Sequence, residues 1–280
     1  MNDLSSPPPA PSGSVLRPSA SIVFVHGAGH AAWCWHENFT GWFAARGYSV
    51  SAPDLPLHGE VQRGGINRLR LADYVGALAA EVARRPRPVV LVGHSMGGFI
   101  IQRHLEDAQV ELAILLASVP PRGAGGMVRR MATRRPLTFI HTMLTSRATG
   151  SARRTRDYFF SPTTPDDVVE RCHSRLQRES TTVLRDMLRG LHPERVRTPV
   201  VVMGAEHDWL VAPLADLAAT ATAFGTRPIT LPGGHDMMLD HAWELVARAV
   251  DDAIVSHVSP RVRRHQSDQL PAIAGHRHEH

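Results

Sequence analysis

The chain contains no lysine: all 31 side chains in the Lys+Arg count are arginine. That absence excludes any chemistry needing an amine nucleophile or a phosphate-binding lysine, such as a Schiff base, a pyridoxal-phosphate site or a Walker loop. Cysteine is almost as scarce. Cys34 and Cys172 are the only two, too few for a disulfide framework, and this usage points to a reducing cytoplasm. No apolar run approaches the ~18 residues that a spanning helix needs, so no transmembrane segment is expected. Residues 1–20 carry Ser5-Ser6-Pro7-Pro8-Pro9-Ala10-Pro11 and lack the basic and apolar regions of a signal peptide, so they read as a disordered Pro/Ser-rich tail. Residues 257–280 read as a second disordered tail. Its five histidines (257, 265, 276, 278 and 280) match no defined ligand spacing, so neither a metal nor a cofactor is expected.

With 280 residues and 43% hydrophobic content, the chain can bury one α/β core with an insertion. Its excess positive charge is concentrated. From Arg122 to Arg156 there are nine arginines and no Asp or Glu. Such a run could attract an anionic substrate, an acidic membrane surface or nucleic acid, but it reads first as a solvated helical face. It has no aromatic interleaving or recognition motif, so nucleic acid is not expected as a partner.

Val89-Val90-Leu91-Val92 reads as a buried parallel strand. It runs into Gly93-His94-Ser95-Met96-Gly97, and an apolar-periodic helix follows. Strand, Gly-x-Ser-x-Gly, helix is the setting of a nucleophile elbow, with Ser95 on a strained turn and glycines where a Cβ would collide. Other strands are expected at 21–26, 48–52, 110–117, 199–204 and 227–231. Helices are expected from Trp33 to Phe43 (closed by Arg46-Gly47), at 69–84, near 213–224 and at 240–256. Between Pro120 and Arg197 the strand–helix alternation lapses. The expected architecture is therefore α/β, a doubly wound, mostly parallel sheet formed by 21–119 and 198–256, with a helical cap inserted at 120–197.

A serine hydroxyl needs a base, and the base needs an orienting acid. In such sheets the chemistry sits at strand carboxyl ends. Asp208 follows the strand at 199–204 and His235 the strand at 227–231, so both fall on the same edge as Ser95, in the order Ser…Asp…His. His94 lies inside the elbow, with its ring expected to point away from the hydroxyl. His207 and Asp236 adjoin the chosen pair and would face elsewhere, and His26 reads as a buried core histidine. The amides of Met96 and of Ala28, in the His26-Gly27-Ala28-Gly29 loop, are candidate oxyanion donors. Trp33, Trp35, Trp209 and Phe159 could line a pocket but read first as packing residues, and no substrate-binding residue can be named.

These residues carry a resemblance. The chain is similar to the α/β-hydrolases over nearly all of 21–256. Its His26-Gly-Ala-Gly-His-Ala-Ala-Trp-Cys-Trp35 and Gly234-His235-Asp-Met-Met-Leu239 segments resemble the plant methylesterase and hydroxynitrile lyase group and its bacterial esterase relatives. The resemblance implies Ser95 as nucleophile, His235 as base, Asp208 as acid, and Ala28 with Met96 as the oxyanion pair. It also implies a sheet lacking the first two of the fold's eight strands. The lyases carry threonine where this chain has Gly27 and lysine where it has Asp236, so the implied reaction is hydrolysis of a small-molecule carboxylic ester. Alternatives are a C–C hydrolase or peroxide-using relative with the same triad, or a hydrolase-derived small-molecule receptor.

Overall fold

The computed structural model describes residues 19–61 and 65–267. In chain order the elements are β1 (Ser21–Val25), α1 (Trp33–His36), α2 (Phe39–Ala44), β2 (Ser49–Ser51), α3 (Leu71–Ala83), β3 (Val89–His94), α4 (Met96–Leu105) and β4 (Leu112–Leu116). Five helices follow without an intervening strand: α5 (Gly125–Arg134), α6 (Pro136–Thr145), α7 (Ala152–Phe159), α8 (Asp166–Arg175) and α9 (Thr181–Asp186). The chain then returns to the sheet with β5 (Val200–Ala205), α10 (Leu214–Ala223), β6 (Pro228–Leu231) and α11 (Trp243–Ser267).

All six strands are parallel, in the order β2-β1-β3-β4-β5-β6. Every residue of β1, β3, β4 and β5 is buried. That is why these strands read as near-continuous apolar runs: helices cover both faces of a parallel sheet. From β1 the chain steps outward to β2, then crosses back to place β3 on the other side of β1. The winding therefore reverses between β1 and β3, and a crevice opens at their carboxyl ends. Val25 is in register with Gly93, so the loop after β1 and the turn after β3 emerge side by side.

The aromatic segment after β1 is two short helices rather than one. Asn38 leaves helical geometry at φ −132°, and its side-chain amide instead donates to the Met238 carbonyl at 3.0 Å. The break lets Trp35, Phe39 and Phe43 all close on Phe24, with ring centroids 4.8, 5.9 and 5.5 Å away. Gly47 ends this unit at φ +88°, as a helix terminator should. At the other end α11 runs on to Ser267 instead of stopping at 256, since only Pro260 interrupts a glycine-free stretch; residues 257–267 are therefore helical. The remainder of both expected tails, 1–18 and 268–280, lies outside the described residues. Among the described residues, no helix is long and apolar enough to cross a membrane.

Candidate active site

Ser95 sits between β3 and α4 with φ +52° and ψ −116°, a backbone state that non-glycine residues rarely adopt and that stores strain. Close packing on both sides holds the turn. A Cβ on Gly97 would lie 2.2 Å from the Val25 carbonyl oxygen, and one on Gly93 would lie 2.7 Å from the Gly97 carbonyl. Ser95 N–H donates to Leu116 O at 3.0 Å, and its own carbonyl accepts Val119 N–H at 3.2 Å. The serine is 7% exposed. Met96, the next residue, opens α4, where N–H groups have no acceptor within the helix and point to its positive end.

Asp208 and His235, 27 residues apart, meet at the ends of β5 and β6. Asp208 Oδ2 accepts from His235 Nδ1 at 2.7 Å. The amides of Leu210, Val211 and Ala212 donate to the same carboxylate at 3.2, 2.9 and 3.1 Å. Both side chains are buried. Burial works against the Asp208 charge, but His235 and the Val211 and Ala212 amides outweigh it and hold the carboxyl below its usual range. Burial likewise disfavours the His235 imidazolium, and attraction to Asp208 more than offsets this, so the histidine pKa is raised. With Nδ1–H committed to Asp208, Nε2 is the nitrogen left to handle a proton.

Three neighbouring histidines have distinct duties. His26 is a core residue, as expected: Nδ1–H donates to Gly27 O at 2.9 Å and Nε2 accepts Leu55 N–H at 3.0 Å. Burial, then repulsion from His58, drives its pKa well down. His94 is not remote from the chemistry. Its ring lies 4.6 Å from that of His235, and its Nε2–H donates to the His235 carbonyl at 3.0 Å. Burial, then repulsion from His235, lowers its pKa to about 3, so it stays neutral. This ring also explains Gly27: a Cβ there would lie 2.8 Å from His94 Nδ1, which leaves no room for threonine. His30 pairs with Asp236 at 3.0 Å. Asp236 is fully buried; burial works against its charge, but attraction to and the hydrogen bond from His30, then attraction to His94 and His235, outweigh it and hold the carboxyl below its usual range.

The segment between α8 and α9 braces the loop after β1. Gln177 N–H donates to Gly29 O at 2.7 Å, and Glu179 Oε2 accepts Gly29 N–H at 3.2 Å and His58 Nε2–H at 3.1 Å. Ala28, the residue before Gly29, is partly exposed. Asp240 braces the histidine loop in the same way. Its carboxylate accepts Gly234 N–H at 2.7 Å and Ser161 N–H at 2.9 Å, joining that loop to the end of α7. Neither Glu179 nor Asp240 is signalled by spacing. Of the aromatic residues, Trp35 and Phe159 are buried. Trp33 lies under the Arg175 guanidinium, and Trp209 donates to Asp157 O at 2.7 Å.

Among the described residues, two buried sets have metal-ligand atoms within 4.8 Å of one another: His30, Cys172 and Asp236, and His94, His235 and Asp236. In both, hydrogen bonds already engage the histidines, to Asp236 in the first set and to Asp208 and the His235 carbonyl in the second. The Cys172 thiol is pushed well up by burial and then by Asp236, so it stays protonated at neutral pH.

The known relatives agree with this architecture. A segment covering 36% of the chain is 38% identical over 111 residues to norfluorocurarine synthase 1 of Strychnos nux-vomica, matching 39% of that protein. Methylesterase 3 of Arabidopsis thaliana is 30% identical over 105 residues, 36% of this chain and 40% of that one. The match thus spans about two fifths of the length of these curated relatives. The structure of an extracellular α/β-hydrolase from a Paenibacillus species superposes with a TM-score of 0.68 at 16% identity, covering 84% of this chain and 99% of that one. The model of the alpha/beta hydrolase family matches residues 22–249, and the chain belongs to that family.

Proposed function

We propose that the protein hydrolyses a small-molecule carboxylic ester through Ser95, His235 and Asp208, without a cofactor. His235 Nε2 takes the proton from Ser95 Oγ as that oxygen bonds to the ester carbonyl carbon. The carbonyl oxygen becomes an oxyanion facing the amides of Met96 and Ala28. Collapse breaks the bond to the alcohol, which leaves with the proton from His235. Water, deprotonated by the same nitrogen, then attacks the acyl-enzyme and releases the acid. Asp208 holds the imidazole tautomer and balances its transient charge. The observation that carries this reading is the buried 2.7 Å Asp208–His235 bond on the sheet edge from which the strained Ser95 turn emerges. The esterase names among the relatives favour the same bond type. Labelling by a fluorophosphonate probe, followed by turnover of p-nitrophenyl esters of increasing chain length, tests it. Wild type should label and Ser95→Ala should not. A folded Ser95→Ala protein that still turned over esters would remove the proposal, and a folded wild type that failed to label would favour the receptor reading.

A further inference from the structure

Helix α6 is turned inside out. Thr138 and Thr142 face inward, 3% and 8% exposed, whereas Leu137, Ile140, Met143 and Leu144 are 73, 53, 47 and 80% exposed. At the helical period these four apolar residues share one arc and the threonines the opposite one. A surface helix in water has the reverse arrangement, and a contiguous apolar patch rimmed by polar groups marks a contact surface.

The rim is predominantly positive. Ion pairs to Asp216 engage Arg122 and Arg130, and an ion pair to Asp166 engages Arg156. Arg134 and Arg135, at the end of α5, and Arg153 and Arg154, at the start of α7, have no carboxylate at ion-pair distance among the described residues. These four and Leu137 line a groove of about 780 Å³ beside α6, in which Asp157 is the single acid.

We propose that this face docks on an anionic lipid bilayer, independently of the ester-cleaving reading. The aliphatic side chains of α6 would enter the boundary of the acyl region, and the four guanidinium groups would meet lipid phosphates at headgroup level. Charge selects this occupant over the alternatives. A two-fold contact with a second copy would set the same arginines against one another. Nucleic acid would be served by stacking aromatics rather than by a row of exposed aliphatics. A ten-residue helix lies in the interface and does not cross it.

The test is flotation of the full chain with phosphatidylcholine vesicles, with and without phosphatidylserine, at low and raised salt. Two multiple variants are compared with wild type: Leu137→Ser/Ile140→Ser/Leu144→Ser, and Arg134→Gln/Arg135→Gln/Arg153→Gln/Arg154→Gln. All seven substitutions fall outside the core, so thermal midpoints should hold. Wild type should bind the phosphatidylserine vesicles in a salt-sensitive manner. The arginine variant should lose ~100-fold or more in partitioning, given the contribution of each basic residue near a charged surface, and the serine variant should also lose binding. Because Cys34 and Cys172 are buried, an Ile140→Cys protein can be labelled selectively with an NBD fluorophore, whose emission should shift to the blue on vesicles. Absence of wild-type flotation would overturn the proposal. So would vesicle binding that the serine variant retains, an NBD emission that does not move on bound vesicles, or a wild-type dimer that the serine variant converts to monomer without any lipid binding.

Discussion

Replacing Glu179 with glutamine should destabilise the whole protein in a pH-dependent way, although Glu179 belongs to no catalytic motif. Its carboxylate is buried and receives four donors: Gly29 N–H and His58 Nε2–H at Oε2, and Tyr74 O–H and Ser180 N–H, both at 2.8 Å, at Oε1. Glutamine has only one acceptor end, so its NH2 must face one of these donor pairs. His58 loses its hydrogen-bonded charged partner, although its Nδ1 still donates to Pro56 O at 3.2 Å. Breaking a buried pair from one side costs about 3–5 kcal/mol, which corresponds to a fall in Tm of about 6–20 °C for a domain of this size. The pH dependence has a definite sign. Burial disfavours the His58 imidazolium, but the bond to Glu179 and its charge outweigh that, so the folded pKa is raised. A raised histidine contributes stability that is complete below the unfolded value of about 6.5 and is lost as pH climbs through the folded value. The gap between wild type and Glu179→Gln, measured by urea denaturation, should therefore be widest on the acid side of that window and narrow above it. His235 has a shift of the same sign but is common to both proteins and cancels in the difference. An equal Tm for the two proteins, or a gap that widens with rising pH, would refute the reasoning.

Other outcomes follow from the same geometry. On the proposed mechanism, Asp208→Asn should lower kcat by ~10⁴, as in Ser-His-Asp sites whose imidazole is held in the wrong tautomer, and steady-state kinetics on the best ester will show it. The pH profile of kcat/KM should have an acid limb above the ordinary histidine value of about 6.5, because His235 must be neutral to act as base and its pKa is raised; a limb below that value would assign the base elsewhere. Gly97→Ala should destabilise by about 3 kcal/mol or more, since its Cβ meets the carbonyl oxygens of Val25 and His26. Gly76→Ala, in α3 with nothing within 4 Å of the added Cβ, should stabilise by about 0.5–1 kcal/mol. Urea midpoints of the two glycine variants will test that contrast.

The elbow and the positions of the strands along the chain are legible because both depend on local pattern. An apolar run, then Gly93-His94-Ser95-Met96-Gly97, then a helical pattern is a local signature, and Asp208 and His235 each stand a few residues beyond a strand. What escaped was set by distant partners. Gly29 meets Glu179 across 150 positions and His30 meets Asp236 across 206, and no periodicity encodes such encounters. His94 is found with the elbow motif, but its contact with the His235 carbonyl depends on how two loops pack. The break at Asn38 was hidden because the flanking aromatics keep a helical rhythm while the asparagine answers to Met238. Helix α6 shows the opposite limit: its two faces are readable from the alternation of Thr138 and Thr142 with Leu137, Ile140 and Leu144, but which face meets the protein is a tertiary outcome.

The Val25–Gly93 register makes the sheet a ruler for the chemistry. Two residues beyond that pair, a Cβ on Gly27 would stand 3.1 Å from the Cβ of Ser95, with Ala28 next in line. Side chains alternate faces along a strand, so one residue added to or removed from β1 alone would turn Gly27 and Ala28 to the wrong side of the pleat. No adjustment of the covering helices could restore them. Variation in this protein is thus confined by length as well as by identity: β1 and β3 must keep their count together.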